Sequence, residues 1–198
     1  MTYISRNELE VLASELWRRF ALAPRFDAEA LVDSLGLRLL WEALDDGEGG
    51  KVFGALIPWE HTVVLNQRHK DLLEEKPGLR RFTIAHWLLH VQPKLGQMAF
   101  LDGIERVLCR EQSKDPIEVQ AEAYASYLLS PTDLLRQKIP KAPWSGWAAV
   151  YRLAGAFEMT PTAMMVRLEI AGWAHRSEQG TPVSGPRPEP GQQRLFPG

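Results

Sequence analysis

Residues 79–92 and 117–129 are the two stretches that most constrain this chain. Each carries apolar or small side chains around most turns of a helix, with few charges. A helix that is apolar around much of its circumference is a buried one, so the rest of the chain has to pack around this pair. Pro77 and Gly78 stand before the first stretch and Pro93 after it. Ser130 and Pro131 follow the second. Such residues mark helix boundaries.

Around this centre the pattern changes twice. Leu9, Leu12, Leu16 and Phe20 form one helical stripe, with Ser5 or Asn7 as the N-cap. A short helix after Asp27 is expected to end at Gly36 and to turn Ala30, Leu31 and Leu35 inward. Residues 38–44, 52–57 and 62–65 are short and rich in β-formers, with turn-forming residues at 45–50. They predict a small antiparallel sheet. Toward the C-terminus, 144–157 and 161–171 read as two helices joined by a short turn at Thr160-Pro161. The fold class is α+β. Residues 1–140 form a mostly helical domain with the small sheet, 141–174 a helix-turn-helix-like pair, and 175–198 a disordered tail. The last 24 residues hold five Pro and four Gly, and only Val183, Leu195 and Phe196 are large and apolar.

The chemistry sits on the two buried helices. His86 and His90 are four residues apart, hence about 40° apart around the helix axis and one turn apart along it. Both imidazoles can reach one metal ion, although the same spacing also arises in histidines that only pack. The second helix adds Glu118 near its start, and Ala121 and Ala125 on one face permit a close helix–helix approach. Three protein ligands with an open fourth position describe a catalytic zinc site. Glu122, one turn beyond Glu118, can orient a ligating histidine through its ring N–H, or can be an ordinary solvated carboxylate.

The segment Phe82-Thr83-Ile84-Ala85-His86 with His90, followed by Glu118 to Leu128-Leu129-Ser130-Pro131, resembles the ImmA/IrrE family of HExxH metallopeptidases. The resemblance covers roughly residues 5–173 and includes the N-terminal helices and the short sheet. It implies one zinc per chain held by His86, His90 and Glu118. It also implies cleavage of a helix-turn-helix transcriptional repressor in stress response or mobile-element control. One departure is plain. The family's general base directly follows the first histidine, and here that residue is Trp87. Either a tryptophan has replaced the glutamate, or four residues have been deleted and His90 has taken over as ligand. On both alignments the base is missing. An indole cannot take a proton from water at neutral pH and return it, so a catalytically inactive regulatory protein of the same fold is the alternative.

The other partners follow from smaller features. DNA would need basic side chains on the second helix of the C-terminal pair, where Arg167 stands alone beside Glu169. Gln192-Gln193-Arg194-Leu195-Phe196 resembles bacterial sliding-clamp binding peptides. Trp144, Trp147 and Trp173 cluster where a partner surface would carry aromatic anchors. No apolar run approaches the roughly 18 residues of a membrane span, and residues 1–6 do not lead into a signal-peptide core. The single cysteine, Cys109, forms no internal disulfide. The expected compartment is the cytoplasm. The net charge of -2 gives no global attraction to nucleic acid or anionic lipid.

Overall fold

A computed structural model describes residues 4–46, 50–91, 107–110 and 116–188. Helix α1, Arg6–Arg19, begins at a capping box: the Ser5 hydroxyl accepts from the Glu8 amide, and the Glu8 carboxylate accepts from the Ser5 amide at 2.8 Å. The expected stripe is buried through Leu16, and Phe20 ends the helix. Helix α2, Ala28–Ser34, is capped by the Asp27 carboxylate. Its buried face is Ala28, Leu31 and Val32, whereas Ala30 is exposed and Leu35 half-buried. Starting the helix at residue 28 sets which i, i+3, i+4 face turns inward.

Strands β1 (Arg38–Glu42), β2 (Val52–Ile57), β3 (Thr62–Asn66) and β4 (Val107–Arg110) form a sheet in the order β1-β3-β2-β4. This sheet is mixed, not antiparallel as expected. β2 pairs antiparallel with β3 and β4, but β1 runs parallel to β3. The turn residues at 45–50 do not close a hairpin, because β3 lies between β1 and β2. The buried Asn66 holds this crossing together. Its amide donates to the carbonyls of Leu44 (3.0 Å) and Val52 (2.6 Å) and accepts from the Leu44 N–H.

Two 3₁₀ turns, Pro58–Glu60 and Gln67–His69, flank β3. Helix α3, Lys70–Glu75, leads into α4, Pro77–His90, and after β4 comes α5, Pro116–Leu129. α5 packs against both α1 and α4. The Trp17 indole donates to the Leu128 carbonyl at 2.7 Å, and the Ile4 amide to the Gln120 side chain at 2.8 Å. A short helix α6, Thr132–Lys138, follows Pro131 without having been expected. α7, Trp147–Phe157, starts three residues late because Gly146, at φ +84°, sets its entry. α8, Pro161–Ile170, is capped by Thr160.

The tail expected to be disordered from 175 instead starts with a hairpin, β5 (Ala174–Arg176) against β6 (Pro182–Ser184). Backbone pairing replaces the apolar content that composition lacks. The Ser177 N–H donates to the Thr181 carbonyl, and the Gly185 N–H ties the strand end to the Trp173 carbonyl at 2.8 Å. Gln192–Phe196 lie outside the described residues.

One apolar cluster runs from Leu9 and Leu16 through Leu88 and Leu128 to Phe157, Met164 and Leu168. The C-terminal pair therefore shares a core with the elements before it. Trp144, Trp147 and Trp173 are half-buried and pack against that core. Among the described residues no helix is long and apolar enough to cross a membrane.

Candidate metal centre

α4 and α5 bring His86, His90 and Glu118 together. The ligand atoms of the three lie within 4.8 Å of one another. His86 Nε2 is 3.0 Å from one Glu118 oxygen, and His90 Nε2 is 3.6 Å from the other. All three side chains are buried, at 2%, 1% and 6% exposure. Spacing on α4 puts both rings on one face, and the small residues Ala121 and Ala125, fully buried on α5, let the helices approach closely.

Chemically the site is asking for a cation. Nε2 of His86 and both ring nitrogens of His90 are buried without a hydrogen-bond partner among the described residues. Such orphaned groups are costly unless something else satisfies them. Burial, then the neighbouring His86, pushes the His90 pKa down to about 4, with the Glu118 charge opposing. His90 is therefore neutral at pH 7, the form that ligates. Two imidazoles and a carboxylate fit a divalent ion, and they match the three-ligand donor set of catalytic zinc sites.

Trp87, the residue after His86, is fully buried. Its ring packs on Leu56 and Val63 of the sheet and lies with its centroid 5.2 Å from each of the two histidine rings. The indole therefore turns toward the sheet while still bordering the metal ligands. It fills the space above Gly54: a Cβ built there would come within 2.8 Å of the indole nitrogen and 2.7 Å of the Val64 carbonyl oxygen. A glycine inside a strand is the sequence signal for such an approach, but alone it does not name the neighbour.

A cavity of about 1220 Å³ opens beside the ligands. His86, Trp87, Phe82, Val119 and Glu122 line it, together with Met159, Ala163 and Val166 from the α7–α8 region. The contribution of the α7–α8 region is not visible in the motifs. It depends on two contacts made by α4. Arg81 donates to the carbonyls of Phe157 (2.7 Å) and Glu158 (2.9 Å), capping the end of α7. Gly78 sits so close to the Met159–Thr160 backbone that a Cβ would lie 2.8 Å from the Met159 carbonyl carbon.

Glu122, read from sequence as either orienting a histidine or lying solvated on its helix, makes no hydrogen bond to either histidine ring among the described residues. Its position one turn after Glu118 turns it to the cavity, where it is exposed. Partial burial raises its carboxyl pKa, with His86 opposing and the Glu118 charge adding. Arg167 is 1% exposed, stacked over Tyr127 and donating to Thr132 at 2.6 Å. The one basic side chain of α8 is thus turned inward, away from where a nucleic acid would dock.

No protein-family model matches the chain. No curated protein matches it either.

Proposed function

We propose that this chain is a zinc-dependent peptide hydrolase of the ImmA/IrrE type with attenuated activity, acting on a helix-turn-helix transcriptional repressor. The observation that carries the reading is the convergence of His86, His90 and Glu118 in a buried site beside a large cavity. A bound divalent ion there would polarise a peptide carbonyl. The ligand residues hold it, the cavity walls hold the chain to be cut, and the closed sheet side excludes water. The proton transfer that such hydrolysis also requires has no carboxylate at residue 87.

The second reading is a regulatory protein that binds the repressor without cutting it. It is favoured by the burial of Trp87 against Leu56 and Val63, which leaves an apolar group where the base would stand.

Two measurements test these readings. Elemental analysis of the purified protein should find one zinc per chain, lost in His86→Ala. Absence of metal in the unmodified protein, with no change in the variant, would remove the metal centre. Incubation with a helix-turn-helix repressor should then give slow, zinc-dependent cleavage. Tight binding with no cleavage, in protein shown to hold its metal, favours the second reading.

A further inference from the structure

We infer that Glu122 is the catalytic proton acceptor that takes over from the position filled by Trp87. The inference rests on the metal-centre reading above. Among the described residues two carboxylates border the cavity, Glu122 and Glu158. Glu158 is engaged by Arg25 at 3.2 Å and Arg81 at 3.5 Å. Glu122 makes no ion pair among the described residues. It lines the cavity together with His86 and stands one helical turn from Glu118, a spacing that puts Cβ atoms about 5–6 Å apart. A side chain of glutamate length can span such a gap toward the ligand site.

The helix also explains why Glu122 is free for this task. Glu118, pointing from α5 into the helix interface, is buried with the histidines. Glu122, four residues on, has turned about 40° further around the axis and emerges into the cavity. Its neighbours one turn on along the same face, Ala125 and Ser126, are small. Trp87 packs on Leu56 and Val63 of the sheet, and the cavity that His86 and Glu122 line gives water an approach to the site.

The step balances without a further reagent. The Glu122 carboxylate takes a proton from a water. The water oxygen bonds to the peptide carbonyl carbon. When the carbon–nitrogen bond breaks, the proton passes from Glu122 to the leaving nitrogen, and the carboxylate is restored.

The test separates this role from mere orientation of a ligand. Glutamine at 122 keeps the length and an acceptor oxygen, so it can still orient a histidine N–H, but it cannot take up a proton. The Co²⁺-loaded full-length protein is titrated with acetohydroxamate and followed by visible absorption, for the unmodified chain and for Glu122→Gln. Acetohydroxamic acid loses its hydroxyl proton as it chelates the metal, and a neighbouring carboxylate takes that proton, so its affinity should fall about tenfold or more in the variant. Co²⁺ affinity should stay within about threefold. A fall of about 10–100-fold in Co²⁺ affinity would make Glu122 a positioning residue and overturn the inference. Unchanged affinity for both probes would also overturn it, because Glu122 would then not face the bound probe. If the unmodified protein binds no Co²⁺, the metal-centre reading fails first and takes this inference with it. Cleavage of fluorescein-labelled casein by the zinc-loaded protein is the companion measurement. It should fall about 10²-fold or more in Glu122→Gln, while lack of cleavage by the unmodified protein would strike the hydrolase reading and leave the hydroxamate result standing.

Discussion

Two side chains carry most of the site's energetics, His90 and Trp87. The folded-state pKa of His90 lies near 4, below the 6.5 of an unhindered imidazole. Between those values the unfolded chain binds a proton that the native chain does not, so unfolding is favoured by acid. The metal-free protein should therefore hold constant stability above about pH 6.5 and lose up to about 3 kcal/mol between pH 6.5 and 4. Urea unfolding of EDTA-treated protein at several pH values measures this, and His90→Gln should flatten the slope. A slope that persists in the variant would assign the titration to another group. Trp87 is a different case. On the proposed hydrolase reading, Trp87→Glu would put a base beside the metal ligands. The fold places residue 87 at 0% exposure against Leu56 and Val63. The substitution would remove a large aromatic contact and put a carboxylate in apolar surroundings, at a cost of about 3 kcal/mol or more. A stable Trp87→Glu protein would show that the sheet side of the site is more open than this packing implies.

Among the elements, α4 reaches both parts of the site: its C-terminal end carries His86 and His90, and Gly78 and Arg81 near its start fix the C-terminal pair. Gly78 and Gly155 make a matched test. Replacing an exposed helical glycine by alanine typically stabilises by up to about 1 kcal/mol. Gly155 in α7 is exposed, with nothing within 4 Å of an added Cβ, so Gly155→Ala should raise the unfolding midpoint. Gly78→Ala should lower it, because the new carbon would meet the backbone of Met159 and Thr160 at 2.8–3.1 Å, and backbone cannot step aside cheaply. Thermal melts of both variants decide; the same sign for both would contradict the close α4–α7 contact. These elements differ in how far sequence discloses them. α1, α4, α5 and α8 were legible because local spacing and caps specify a helix without reference to partners. The parallel β1–β3 pairing was not legible. It depends on Asn66, whose side chain reaches residues 14 and 22 positions away, and nothing in strand composition encodes such a reach.

For the molecule as a whole, the same distinction separates the metal ligands from the cavity. His86 and His90 are read from a helical spacing and Glu118 from its place on the neighbouring helix, so the triad is legible. The cavity depends on where α7 and α8 come to rest, which is set by Arg81, Gly78 and burial across the chain. Division into residues 1–140 and 141–174 meets the shared core at this point. Nine members of that cluster, among them Val150, Leu153, Phe157, Met164, Met165 and Leu168, come from beyond residue 140. Fully burying a large aliphatic or aromatic side chain contributes about 1.5–3 kcal/mol, and a domain of this size is stable by only about 5–15 kcal/mol in total. Losing a handful of those contacts exceeds that margin, and the faces they cover on α4, α5 and α1 would become solvent-exposed apolar surface. The fragment 1–140 is therefore expected not to fold by itself. In urea it should show a broad, non-cooperative loss of helical circular dichroism, and it should bind ANS, a dye that reports exposed apolar surface, where the full chain binds little. Full-length protein should unfold in one cooperative step. A sharp transition in the fragment, with a urea dependence scaled to its smaller buried surface, would instead establish residues 1–140 as an independent domain and α7–α8 as an attached one.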